Sequence, residues 1–186
     1  MDESHAIEAI ERLGGQIERD HTRTGSPVTG VDLTRLRELY LWSEQITDRG
    51  LECVAGLRDL RELRLNLTAI TDVGLNELRG LTKLKTLDLG WTRITDAGLS
   101  AIAEFKNLAR LDLGRTQVGD LGVAELTSLP NLAELYLHGT RITDAALSHL
   151  LKCSNLRNLT TYSTRVTSSA SKEFRRLRPE IRLNWE

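Results

Sequence analysis

An α/β solenoid, right-handed, with a parallel sheet on its concave side and helices on its convex side, is the fold class this sequence predicts. Three observations predict it. Six 24-residue units follow one another without insertion or deletion, beginning at Leu36, Leu60, Leu84, Leu108, Leu132 and Leu156 and ending at Pro179. Within a unit the apolar spacing changes from alternation, as at Leu87 and Leu89, to a period of three, as at Leu99, Ile102 and Phe105, so each unit reads as a short strand, a turn and a helical return. Positions 1, 4, 6, 11, 16, 19 and 22 of the unit are apolar almost throughout. A unit this small cannot bury them alone, so neighbours must stack into one continuous core.

The elements follow in chain order. Residues 1–35 read as an N-terminal cap. Ala6, Ile7, Ala9, Ile10 and Leu13 recur at helical spacing over about 4–13, with Ser4 placed to start the helix and Gly14 and Gly15 to end it. Edge strands are expected at about 16–20 and 28–33, joined by a polar loop whose Gly25, Ser26 and Pro27 form turns. Val28, Val31 and Leu33 copy the opening of a repeat but lack a helical return, so they are expected to shield the first repeat's open edge. Residues 36–179 are the six repeats. Their Thr column (Thr68, Thr92, Thr116, Thr140, Thr164) sits where the chain leaves the strand, where a hydroxyl can bind backbone groups left unpaired by the turn. The Thr-Asp pairs, such as Thr71 with Asp72 and Thr95 with Asp96, are placed to cap the helix that follows them. Ser168 to Leu177 reads as the last helix, stopped by Pro179, and 180–186 as a closing strand in which Ile181, Leu183 and Trp185 alternate.

The unit L-x-x-L-x-L-x-x-T-x-I-T-D-x-G-L resembles the leucine-rich repeat family. The Ile-Thr-Asp-x-Gly-Leu segment is most similar to repeats in bacterial proteins and in F-box adaptors. The resemblance implies protein binding, with partners that differ from member to member. The adaptor role does not carry over, because the residues before Leu36 are too few for an F-box and already serve as a cap. The first repeat has Glu44 in the Thr column, and the sixth has Thr161, Ser168 and Ser171 where Leu, Asp and Leu are usual. Both end repeats are therefore expected to be less regular than the middle four.

Composition narrows the function classes. With 186 residues, 40% of them hydrophobic, the chain suits a single domain, and no apolar run is long enough to span a membrane. A net charge of -1 gives no general attraction for nucleic acid or an anionic bilayer. The first residues carry no basic stretch followed by an apolar one, so a cytoplasmic protein is expected, and a monomer. Cys53 and Cys153 fall in the first and fifth repeats, roughly 20 Å apart by strand spacing. Both are expected as free thiols, Cys153 buried and Cys53 facing outward. No cofactor and no metal site is predicted.

With the buried positions assigned, the exposed strand positions define the candidate site. Five of the six Trp and Tyr residues gather there: Tyr40, Trp42, Trp91, Tyr136 and Tyr162. Such rings on a rigid sheet favour binding. Down the columns, Arg64, Asp88 and Asp112 lie between Tyr40 and Tyr136, and Asn66, Gly90, Gly114 and His138 lie between Trp42 and Tyr162. Gly90 and Gly114 predict a shallow central depression beside the two aspartates, walled by Trp91, Arg115 and His138. The leading expectation is a non-enzymatic module that takes an unidentified protein or peptide on this face, with a basic partner residue meeting Asp88 and Asp112. The alternative is an RNA or phosphorylated ligand along Arg93, Arg115, Arg141 and Arg165. Last comes a hydrolytic site using Asp88, Asp112 and His138, disfavoured because an open sheet does not exclude water.

Overall fold

The computed structural model describes residues 16–19, 28–32, 37–52 and 54–185. The helix expected over 4–13, the loop at 21–27 and Cys53 lie outside them. Strands β1 (Gln16–Arg19) and β2 (Val28–Asp32) pair antiparallel in a two-stranded sheet of their own. A second sheet holds β3 (Glu38–Tyr40), β4 (Glu62–Arg64), β5 (Thr86–Asp88), β6 (Arg110–Asp112), β7 (Glu134–Tyr136), β8 (Asn158–Thr160) and β9 (Arg182–Asn184), seven parallel strands in sequence order. Leu39, Leu63, Leu87, Leu111, Leu135, Leu159 and Leu183 stand in one row across it. The predicted parallel solenoid is the observed fold.

Between strands the chain returns through short helices, the last of them the longest: α1 (Asp48–Leu51), α2 (Asp72–Glu77), α3 (Leu99–Ile102), α4 (Asp120–Leu126), α5 (Asp144–Leu150) and α6 (Ser168–Leu177). The apolar columns of the middle repeats are buried, from Leu60 and Leu63 through Phe105 to Leu156 and Leu159. Cys153, a free thiol, lies buried among them, and burial raises its pKa.

Three hydrogen-bond ladders recur along the array: the first braces each repeat internally, and the other two tie repeat to repeat. Each Thr-column hydroxyl donates to the carbonyl three residues before it at 2.6 Å, from Thr68 on Leu65 to Thr164 on Thr161. At the helix starts Thr71, Thr95 and Thr143 accept from Val73, Ala97 and Ala145, but the aspartates that follow do not cap their own helices. Asp72 reaches into the next repeat, where its carboxylate accepts the Thr95 N–H at 2.8 Å and the Thr95 hydroxyl at 2.6 Å. Asp48, Asp120 and Asp144 do the same for Thr71, Thr143 and Thr167, and Asp96 accepts the Gly119 N–H. The reason is geometric: stacked repeats bring the next helix start closer to the carboxylate than its own backbone donors. Gly74, Gly98 and Gly122 leave room for it, since a Cβ at any of them would collide with the preceding repeat's aspartate. Asn107 and Asn131 form the third ladder, donating to the carbonyls of Thr82 and Lys106.

The end repeats depart from this regularity. Leu39, Leu41 and Ile46 are only partly buried. In the sixth repeat the Thr161 and Ser171 hydroxyls occupy core positions and are buried without a hydrogen-bond partner. Leu177, expected in the core at position 22, is 47% exposed, because no further helix follows α6 among the described residues to cover it.

Candidate interaction surface

Alternation along a strand sends positions 3, 5 and 7 to the concave face, and there charges and rings form two clusters of the same kind. In the first, the Tyr40 hydroxyl donates to Glu38 at 2.8 Å, the Arg64 guanidinium lies 4.7 Å from the Tyr40 ring, and Arg64 pairs with Glu62. In the second, Tyr136 donates to Glu134 at 2.8 Å while Arg110 pairs with the same carboxylate and sits 4.8 Å from the Tyr136 ring. Burial first, and the hydrogen bond to Glu38 second, push the Tyr40 hydroxyl up to about 12; the same two causes raise Tyr136. These rings are braced before any partner arrives.

Between the clusters stand Asp88 and Asp112. Each turns down onto its own repeat: Asp88 accepts the Gly90 N–H at 3.0 Å and Asp112 the Gly114 N–H at 2.8 Å. Burial pushes the Asp88 carboxyl above its ordinary range, the Gly90 N–H opposes that, and the Asp112 charge adds to it. The depression expected over Gly90 and Gly114 does not stay open. The His138 ring lies where a Gly114 side chain would be, and the carboxylates of Asp88 and Asp112 close over Gly90. His138 in turn stacks on Tyr162, centroids 5.0 Å apart, with its Nδ1 buried and unpartnered. Asn66, at the same position two strands before Gly114, is half-buried.

The rim where the chain leaves the strands differs. Leu67, Trp91, Arg115 and Ser163 all have φ between 57° and 60°, and Gly139 has 66°. This is the left-handed region, which costs an ordinary L residue roughly 1–2 kcal/mol. The geometry is forced by the sheet, since the N–H groups of Leu67, Trp91, Arg115 and Gly139 each donate to the next repeat's carbonyl, at Gly90, Gly114, His138 and Tyr162. Only Gly139 adopts it freely. At the others the chain places large side chains in solvent: Leu67 is 50% and Trp91 56% exposed, with Arg115 5.1 Å from the Trp91 ring. Trp42, at the strand position just before this rim, is 68% exposed. Leu67, Ala69, Trp91, Arg93 and Arg115, with Glu44 at one end, line a cleft of about 240 Å³.

Sheet face and rim carry opposite charge. From β3 to β8 the face holds Glu38, Glu62, Asp88, Asp112 and Glu134 against Arg64 and Arg110, both already paired with glutamates, and β9 adds Arg182 at the far edge. The rim holds Arg93, Arg115, Arg141 and Arg165. Among the described residues none of these four makes an ion pair; Arg141 donates to Gln117, and Arg115 covers Trp91. The geometry therefore joins Tyr40 to Arg64, Asp88 to Asp112, Trp91 to Arg115 and His138 to Gly114 and Tyr162, and leaves Arg141 and Arg165 towards the far end. Leu67 lines the cleft without having been singled out from the sequence, and Glu44, read there only as a departure in the Thr column, lines it too. An apolar residue in a column otherwise polar, aromatic or Gly was the available signal for Leu67.

A parallel solenoid of 24-residue strand-turn-helix units, each braced by its Thr-column hydroxyl and tied to the next by Asp and Asn ladders, defines a repeat protein of the leucine-rich class. Residues 34–94 match the general leucine-rich repeat family, and residues 78–179, more than half the chain, match the leucine-rich repeats of an FBD-associated F-box protein. The chain belongs to the leucine-rich repeat family. Among solved structures it is similar to a leucine-rich repeat protein of Leptospira interrogans, with 24% identity, a TM-score of 0.63, and coverage of 82% of this chain and 38% of that one. It is also similar to an internalin from Listeria monocytogenes, with 22% identity, a TM-score of 0.59, and coverage of 82% of this chain and 48% of that one. The likeness is one of fold, and this chain spans less than half the length of either protein. Comparison with curated proteins gives no match. No helix among the described residues is long and apolar enough to cross a membrane.

Proposed function

We propose that this chain is a non-enzymatic interaction module that binds a protein or peptide across its concave sheet. Repeat arrays of this class present extended concave surfaces for binding. The observation that carries the reading is the pair of braced Tyr-Glu-Arg clusters on either side of Asp88 and Asp112. Rings held in place lose little entropy on association, and the half-buried acidic pair between them suits a basic partner group. Trp42 extends the anchor surface at one end, and the His138–Tyr162 stack extends it at the other.

No catalytic role is assigned. Asp88 and Asp112 each commit one oxygen to a backbone N–H, and His138 packs against Tyr162 and Gly114 rather than standing free to move a proton. Capture from lysate followed by mass spectrometry tests the reading. Proteins retained by the wild type are expected to be lost with Asp88→Ala/Asp112→Ala and with Trp42→Ala/Tyr136→Ala, and kept with Glu125→Ala on the helical side. Equal retention by all variants would overturn it.

A further inference from the structure

The cleft at the rim calls for a ligand chemistry opposite to that of the sheet. We infer that the rim at Leu67, Trp91, Arg93 and Arg115 is a second subsite of the same surface, which takes an acidic stretch of the protein partner with one apolar side chain set among its carboxylates. The inference rests on the proposed binding role of the concave face and deepens it. Three observations carry it.

The first is charge. Arg64 and Arg110 on the sheet are neutralised by Glu62 and Glu134, whereas Arg93, Arg115, Arg141 and Arg165 form no ion pair among the described residues. Four guanidinium groups without an acid partner among the described residues line one rim, and a guanidinium can hold a carboxylate with two parallel hydrogen bonds. The second is shape. The cleft of about 240 Å³ has apolar walls from Leu67, Ala69 and Trp91, room for a side chain of Leu or Phe size. Arg115 covers one face of the Trp91 ring and leaves more than half of the residue in solvent. The third is where the strain lies. Leu67, Trp91 and Arg115 hold left-handed backbone that glycine would hold at no steric cost, as Gly139 does in the same column. Large side chains kept in place against that cost are the pattern of a binding site.

A polyanion of the nucleic-acid type fits less well. Glu44 lines one end of the cleft, and the sheet face beside it carries Asp88 and Asp112, which would repel a phosphate backbone. A peptide can alternate its charges to suit both regions, with acidic residues over the rim and a basic one over the aspartates.

Panning a random dodecapeptide library on the intact chain tests this, with parallel counter-selection on Arg93→Glu/Arg115→Glu and on Asp88→Ala/Asp112→Ala. Peptides lost on the arginine variant are expected to carry Asp or Glu around a Leu, Ile or Phe. A synthetic copy is expected to lose roughly tenfold in affinity with Trp91→Ala or Arg93→Ala, the size of one good contact at an exposed site. Trp91, Arg93 and Arg115 are exposed, so circular dichroism and the thermal midpoint of the rim variants are expected to stay at wild-type values. Rim-dependent peptides that are basic, or a library with no rim-dependent peptide, would overturn the inference. If binding then still depends on Asp88 and Asp112, the concave-face reading stands without the rim; if it depends on neither, both fall. A single-stranded dodecanucleotide RNA pool that outcompetes the selected peptides and is lost on the arginine variant would also overturn the inference.

Discussion

The sheet face and the rim lie a few residues apart in every repeat, yet they treat polar groups in opposite ways. On the face, Tyr40, Arg64, Tyr136 and Arg110 bind neighbouring glutamates, and Asp88 and Asp112 bind backbone N–H groups. On the rim, the arginines meet no acid among the described residues, and Leu67 and Trp91 stand in solvent on left-handed backbone. The difference follows from position. Side chains on a parallel sheet have cross-strand neighbours at every step, whereas the rim residues sit where the chain turns away. A pre-organised surface and an unsatisfied one are thus built side by side from the same repeat.

Both regions rest on one frame, and the largest effect comes from breaking it. Leu113, fully buried between the strand that carries Asp112 and the turn that carries Arg115, is expected to cost roughly 2–5 kcal/mol when changed to Ala, measured by denaturant unfolding. A loss under about 0.5 kcal/mol, the ordinary range of surface changes, would mean that face and rim do not share a core. The inter-repeat ladder comes next. Asp72→Ala removes the acceptor of the Thr95 N–H and hydroxyl and is expected to cost roughly 1–3 kcal/mol; a change of the same size in Asp72→Asn, which keeps an acceptor, would point to charge instead of the hydrogen bond.

The rim itself is tested by exchanging residues at one backbone position. Gly139→Ala is expected to cost about 1 kcal/mol, and Trp91→Gly to be neutral or slightly stabilising while peptide binding falls, because relief of the left-handed strain offsets the added freedom of the unfolded chain. A large destabilisation by Trp91→Gly would show that the ring belongs to the frame. The smallest effect belongs to the face. Asp88, whose carboxyl is held above its ordinary range mainly by burial, contributes stability that is present below its unfolded value and is lost as pH rises through its folded one. Asp88→Asn keeps the acceptor for the Gly90 N–H, so it is expected to flatten that part of the pH–stability curve and to gain on the wild type above the carboxylate range. Parallel curves would remove the burial argument.

What could be read from the sequence tracks what recurs. Six copies average out local ambiguity, so the strand row at Leu63, Leu87 and Leu111, the Thr hydroxyls and the buried Cys153 follow from the unit. Asp72 was legible as structural but not as a link, because its partner Thr95 is 23 residues away and its own helix start lies next to it in the chain. The central depression failed for a related reason. Gly90 and Gly114 announce space, but which way His138 turns depends on packing across strands, and it turns over Gly114. Charge pairing was likewise invisible: Arg64 and Arg93 are both exposed arginines in the repeat pattern, and only the fold shows that one has met Glu62 and the other has met no acid among the described residues.

Hydrogen–deuterium exchange on the chain with and without its tightest selected peptide tests the central claim most directly. Slowed exchange is expected over residues 62–69, 86–93 and 110–117, where face and rim meet, with α4 and α5 unchanged. Protection concentrated on α4 and α5, with those strand and rim segments unaffected, would contradict the account.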